Sequence, residues 1–420
     1  MPQPTIRTGR LDVYLLDRLA GRLDYSSRGN EMHFVYDSAY AAESAAQPLS
    51  FSLPLQCEPF DTVRTTEFFA NLLPPDVVRR KLGPILHLSR HNIFGFLEAL
   101  GADCAGAISL RKPDDPPTVK DRDKLVELDD SEAARILASL PKRPLYAGGL
   151  EGYRISGSGA QDKLLVRLSG TRVSLPLFGA PSTHLLKPPA KEYPDSVFNE
   201  WFVVSLAGRI GLPAPKCGVI DIGGTPCYWI ERFDREMDSS GGVRRLHQED
   251  FCQMMGIGGE NKYETEGGPS IASAMKTLRK MRLGVHHEMQ FLDMVAFHVL
   301  TGNADAHGKN YSILYRNGKA GLAPVYDAVC TMVYPALSRD AAMSVGGEMQ
   351  LDKIDRDAFS RMATEIGVSP KLVLRRLDNM AAKLVSAAKA LRDEFFAKRQ
   401  SPLYAEIVRV IEKQTARMLG

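Results

Sequence analysis

Gly302-Asn303-Ala304-Asp305-Ala306-His307-Gly308-Lys309-Asn310 is the stretch on which the reading of this 420-residue chain turns. It follows an apolar run over 290–302 that is long enough for a helix, so its polar residues fall in a loop at a helix end. Asp327, within Val325-Tyr326-Asp327, comes seventeen residues after Asn310. Phosphoryl transfer needs a carboxylate to orient a nucleophilic hydroxyl and take its proton, and oxygen ligands for Mg²⁺. Asp305 suits the first role, Asn310 and Asp327 the second, and Lys309 offers a cation for a terminal phosphate. Asp and Asn also cap turns in ordinary polar loops, so this pair alone does not decide.

Working upstream, Thr183-His184-Leu185-Leu186-Lys187 reads as a strand ending in a lysine suited to phosphate oxygens; a surface strand end would look the same. Glu200 lies thirteen residues on, in a helix expected over 196–210 and stopped by Gly211. It shares a face with Val197 and Val204, and a buried carboxylate there wants the partner that Lys187 supplies. A rotated helix would leave Glu200 in water. Ser156-Gly157-Ser158-Gly159-Ala160-Gln161-Asp162-Lys163 is small enough for backbone N–H groups to approach phosphate, although it is neither GxGxxG nor a P-loop and also reads as a plain Gly/Ser turn. Glu231-Arg232-Phe233-Asp234-Arg235 falls at a junction between unlike segments. It is either a hinge offering backbone hydrogen bonds to a base edge or a salt-bridged surface turn.

The surrounding chain supports an enzyme of ordinary composition. It is 44% hydrophobic and 25% charged, with a net charge of +3, too small to argue for nucleic-acid or membrane binding by bulk charge. Its six cysteines contain no CxxC pair, which argues against a zinc site or disulfide framework and fits a reducing cytoplasm. No signal peptide or membrane-length apolar run is visible. Strands are expected at 11–16, 33–36, 50–55 and 105–110, and a short helix at 67–73. A Pro-rich charged linker follows at 111–124, then a helix at 132–140 capped by Ser131. Further strands are expected at 163–168, 183–187, 219–222 and 227–230. Past Phe233 the chain reads as mostly helical, ending in a basic helix from Pro370 to about Lys398. The expected class is α+β in three units: 1–150, a small β-rich lobe 151–235, and a helical lobe 236–420, with a cleft between the last two.

The order of these elements resembles a divergent two-lobed protein kinase, the Asp305–Asn310 spacing being that of a kinase catalytic loop. More closely it resembles the HipA family of serine/threonine-kinase toxins. The resemblance is carried by PLSFSLPL (48–55), FFANLLP (68–74), ISGSGAQDK (155–163), HLLKPP (184–189), ERFDR (231–235), KYETEGGP (262–269), GNADAHGKN (302–310) and VYDA (325–328). It implies an enzyme using ATP and Mg²⁺, with Asp305 catalytic and Asn310 and Asp327 holding metal. ATP would be contacted by Ser158, Gly159, Ala160, Gln161, Asp162, Lys163, Lys187, Glu231, Arg232, Phe233, His307, Gly308, Lys309, Asn310, Tyr326 and Asp327. It also implies silencing autophosphorylation at Ser156, with Ser158 a second candidate. The acceptor it implies is an aminoacyl-tRNA synthetase such as glutamyl-tRNA synthetase, although the segment 188–197 is shorter here than the family's substrate loop. The implied partner is a HipB-like helix-turn-helix antitoxin that makes the main contact with operator DNA. Two other readings remain: a small-molecule kinase, and a non-catalytic corepressor of a DNA-binding partner.

Overall fold

In the computed structural model, which describes residues 8–117, 124–238 and 242–419, Leu11, Val13 and Leu15 share one buried face of the strand Thr8–Leu15. That strand lies in an antiparallel sheet ordered Glu31–Tyr36, Arg18–Ser26, Thr8–Leu15, Ile108–Arg111. The helices Thr62–Ala70 and Ile93–Leu100 add Phe68, Phe69, Phe96 and Leu97 to the same apolar cluster. Of the linker expected at 111–124, residues 118–123 lie outside the described residues.

Residues 50–55 do not form the strand their alternation predicts. Ser50 and Leu53 make one isolated bridge across a turn, and the segment's donors go to a carboxylate instead. Ser50 Oγ donates to Glu249 at 2.5 Å, Phe51 N–H at 3.2 Å, and Tyr315 from the other side at 2.5 Å. Alternation recorded one buried face, but the backbone partners are side-chain oxygens rather than a neighbouring strand.

Burial pushes the Glu249 carboxyl up to about 7. A carboxyl raised in the folded state favours folding when protonated, so its contribution is complete below the unfolded pKa and is lost as pH rises through about 7. The urea midpoint is expected to fall between about pH 5 and pH 8, by the equivalent of a few kcal/mol. Glu249→Gln is expected to remove that part of the slope; an unchanged slope in the variant rules the assignment out.

A second antiparallel sheet has six strands, ordered Leu125–Leu128, Arg172–Pro176, Leu164–Ser169, His184–Lys187, Thr225–Glu231, Cys217–Ile222. Its core takes in Ile136, Leu137 and Leu140, around the helix Asp130–Ser139. That helix is capped by Asp129, not Ser131. Asp129 accepts from the Glu132 N–H at 2.8 Å while the Glu132 side chain reaches back to the Asp129 N–H. Ser131 already lies in the first turn, two positions past the cap.

Beyond Phe233 the chain is less helical than its sequence suggests. Among the described residues, seven short strands form one three-stranded and two two-stranded sheets between the helices. Strands of three to six residues carry too few alternations to stand out in sequence. The helix Pro370–Lys398 buries Leu377, Met380, Leu384, Ala388, Leu391 and Phe395, the apolar stripe expected of it. A further helix, Leu403–Leu419, packs against it through Tyr404, Ile407 and Ile411. Among the described residues no helix is long and apolar enough to cross a membrane. A cleft of about 1590 Å³ is lined from all three units.

Candidate active site

The strand His184–Lys187 ends facing the helix Ser196–Arg209, and the helix rotation left open by the sequence is settled by contact. Lys187 Nζ lies 2.7 and 2.9 Å from the Glu200 carboxylate oxygens and 2.6 Å from Asp327 Oδ1. The Lys187 and Glu200 side chains are 5% and 3% exposed, while Asp327 is 46% exposed toward the cleft. Two carboxylates outweigh burial and raise the Lys187 pKa, so the ammonium stays charged. The same ammonium holds the Asp327 carboxyl well below its usual range. Burial pushes Glu200 up to about 7, with Lys187 pulling against it. Asp327 also sits at φ 52°, a left-handed conformation that costs a non-glycine residue energy and is typically kept where geometry matters.

Asp305 and Asn310 emerge from the loop after the helix Val285–Leu300. The Asn310 amide donates to the backbone carbonyls of Asp305 (3.3 Å) and Asp327 (3.2 Å), tying together the two segments that the sequence separates. Its Oδ1 accepts no hydrogen bond among the described residues. Among those residues no group of three or more His, Cys, Asp or Glu could hold a metal by itself. Asp327 and Asn310 could offer a cation one carboxylate and one amide oxygen, with other ligands left to come from elsewhere.

Asp305 is half-exposed, with burial raising its carboxyl pKa. Its Oδ1 accepts from the Tyr263 hydroxyl at 2.5 Å. His307 Nε2 lies 2.8 Å from Lys262 Nζ; burial and that cation push the imidazole down to about 3, so it is neutral and accepts. Lys309 is not the free cation its sequence position suggested. Its ammonium is 2.6 Å from Asp250 and 2.6 Å from Asn71 Oδ1, which ties the loop 302–310 to the segment around Asn71. Tyr326 donates to the Lys309 carbonyl at 2.7 Å, and its ring lies 5.1 Å from that of Phe233.

Across the cleft, none of the backbone N–H groups of residues 157–162 donates a hydrogen bond within the described chain. Gly159 has φ +92°, and a Cβ there would lie 2.6 Å from Lys163 Nζ, so the tight loop needs glycine. Lys163 is buried and donates to the Ser158 carbonyl; burial and nearby Lys187 push its pKa down to about 8. Gln161 and Asp162 line the same cleft. Ser156 is buried, its hydroxyl donating to Leu72 O at 2.5 Å, whereas Ser158 and Ala160 are exposed.

At the junction, Arg232 does not point its guanidinium toward a ligand. It donates to Asp234 at 3.0 and 2.8 Å and reaches Asp103 and Ser182. Arg232, Asp234 and Arg235 are thus part of a buried ion network: they are salt-bridged, but in the interior and not in the surface turn the sequence suggests. The Phe233 N–H beside them has no partner among the described residues, and Glu231 faces the cleft rim with Lys216 3.6 Å away. Sequence reasoning assigned no role to Lys262, Tyr263 or Asn71. KYETEGGP and FFANLLP were visible as segments, but nothing in their spacing indicated that they close on the catalytic loop.

The chain matches the HipA-like C-terminal domain over 155–388 and the HipA N-terminal domain over 11–111. A putative kinase of Sinorhizobium fredii is 38% identical over 406 residues, 95% of this chain and 94% of the relative. The serine/threonine-protein kinase toxin HipA of Shewanella oneidensis is 26% identical over 399 residues, 91% and 89% of the two chains. In three dimensions the fold matches HipA from the Shewanella oneidensis HipA, HipB and operator DNA complex. The TM-score is 0.83 at 24% identity, covering 97% of this chain and 96% of that one.

Proposed function

Because this chain belongs to the HipA family of kinases, we propose that it transfers the γ-phosphate of ATP to a serine or threonine of a protein and serves as the toxin of a toxin–antitoxin pair. The observation that carries this reading is the cleft itself. It is lined by the loop 157–162, whose N–H groups are unused, by the Lys187 ammonium with Asp327 bound to it at 2.6 Å, and by Asp305 and Asn310. Lys187 and the loop N–H groups hold phosphate oxygens, and Asn310 and Asp327 hold Mg²⁺, which neutralises charge on the phosphates when bound. Asp305 orients the acceptor hydroxyl and receives its proton. The free Phe233 N–H supports a base edge docking at the junction, with the Tyr326 ring beside Phe233 and His307 also lining the cleft.

The finer parts of this reading are a synthetase acceptor such as glutamyl-tRNA synthetase, a HipB-like antitoxin through which the complex binds operator DNA and represses its own operon, and a cytoplasmic location. A unit boundary near 235 belongs to it as well; the one expected near 150 is moved ahead of Leu125, because the strand Leu125–Leu128 and the helix Asp130–Ser139 pack with the six-stranded sheet. Autophosphorylation at Ser156 adds about −1.5 to −2 charges where nucleotide phosphates bind, which repels ATP. Ser156 must first leave Leu72 to accept phosphate, while Ser158 is already exposed.

Intact-mass spectrometry of phosphate-stripped protein with Mg-ATP tests the core of the proposal. The parent is expected to gain one or two phosphates mapping to Ser156 or Ser158, and Asp305→Ala none. Equal gain in both chains removes Asp305 from the chemistry. No gain in either moves the reading to a small-molecule kinase or a corepressor.

A further inference from the structure

We propose that Tyr263 is a positioning residue for phosphoryl transfer: its hydroxyl ties one oxygen of the Asp305 carboxylate and thereby aims the other at the acceptor. The proposal rests on the reading of Asp305 as the catalytic carboxylate. A half-exposed aspartate on a loop rotates freely about its terminal torsion, and a base that turns away from the acceptor is lost to the reaction. Here Oδ1 is occupied by the Tyr263 hydroxyl at 2.5 Å, and among the described residues no donor reaches Oδ2. The carboxylate is therefore held by one oxygen and open at the other.

The holder is itself fixed. The Tyr263 ring meets the His307 ring edge-on at 5.3 Å and lies under the Lys262 ammonium at 5.0 Å. Lys262 binds His307 through its side chain (2.8 Å), and its carbonyl accepts the Gly308 N–H (3.1 Å). Two adjacent residues thus grip the catalytic loop at Asp305, His307 and Gly308. Behind them, Glu264 accepts from the Ser344 N–H at 2.6 Å and its hydroxyl at 3.0 Å. The Gly268 N–H donates to the Tyr263 carbonyl at 2.8 Å. A Cβ on Gly268 would lie 2.4 Å from Asn261 O and 2.7 Å from Tyr263 O, so the chain closes on itself there only with glycine. This is the arrangement of a base oriented by a third group, built from a segment 42 residues away in sequence.

The test is a double-mutant cycle on ADP formation from saturating Mg-ATP, which counts transfer to protein and to water alike. Tyr263→Phe keeps the ring contacts and removes only the hydroxyl. It is expected to lower kcat about ten- to hundredfold, part of what a general base contributes, with ATP affinity by calorimetry and thermal midpoint unchanged. In an Asp305→Ala chain the same change is expected to cost nothing further, because there is no carboxylate left to aim. If Tyr263→Phe leaves the parent's rate unaltered, or slows the Asp305→Ala chain equally, the positioning role is overturned while the site stands. If Asp305→Ala forms ADP as fast as the parent, the site reading fails and this proposal with it.

Discussion

Lys187→Ala is expected to lose at least a hundredfold in phosphate incorporation and also to destabilise the fold, two effects that a second substitution separates. Lys187 is the shared cation of Glu200 and Asp327, at 2.6–2.9 Å. Without it Glu200, 3% exposed, keeps no cation within ion-pair distance. Breaking a buried pair from one side costs about 3–5 kcal/mol, because the surviving charge is left desolvated. The carboxyl then takes up a proton, so the deficit is expected to shrink as pH falls below the point where Glu200 protonates, already about 7 in the parent. Adding Glu200→Gln removes the stranded charge and is expected to restore most of the unfolding midpoint. It is not expected to restore activity, since the group that meets phosphate is still missing. Recovery of activity in the double variant, read by intact mass, would show that Lys187 serves only the fold.

The second large effect is expected at Asp103, which touches no part of the proposed chemistry. It is fully buried and receives Arg235 at 2.8 Å, Arg245 at 3.1 Å, Arg232 at 3.4 Å and Ser182 Oγ at 2.7 Å. Asp234 is the other carboxylate of the network, and it also accepts the Gly106 N–H at 2.6 Å. The three guanidiniums hold the Asp103 carboxyl well below its usual range. Asp103→Asn leaves three buried cations with one buried anion, Asp234, and the part-exposed Asp17 3.7 Å from Arg245, and the cost is expected to be about 3–5 kcal/mol, visible as a lowered urea midpoint. Because Asp103 comes from the N-terminal unit and Arg232 and Arg235 from the junction, the loss is expected to loosen that unit from the two lobes. Limited proteolysis should then cut between the two family-matched segments, 11–111 and 155–388, faster than in the parent. An unchanged midpoint would mean that water or a rearranged arginine replaces the missing charge.

These two sites also mark how far the sequence could be read. Lys187 and Glu200 were legible because each lies on a regular element: a strand end and a helix face whose periodicity fixes direction. Their pairing is already suggested there; only the helix rotation, which buries Glu200 against Lys187 instead of leaving it in water, required the fold. Asp103 gave no signal, because an aspartate after Ala102 in a loop looks like any turn residue, and its partners lie 79 to 142 positions away. The SFSLPL alternation was read as a strand since period two is all a sequence displays; that its donors turn to Glu249 depends on a side chain 199 residues distant. The short strands after Phe233 and the helix Leu403–Leu419 were missed for want of length in the first case and of a separate reading past Lys398 in the second.

By itself the sequence determined the class of fold and the family, because apolar periodicity, turn residues and the order of short motifs are local properties carried by contiguous residues. It also determined the inventory of the cleft: Lys187, Asp305, Asn310 and Asp327 were all named from spacing. Only the tertiary structure decided what each charge is bonded to. It turned Lys309 toward Asp250 and Asn71, drew the Arg232 guanidinium into a buried network, hid Ser156 behind Leu72, and set Tyr263 against Asp305. Electrostatic and hydrogen-bond partners are chosen by distance in space, and the burial that makes those choices binding comes from packing segments that the chain order keeps far apart.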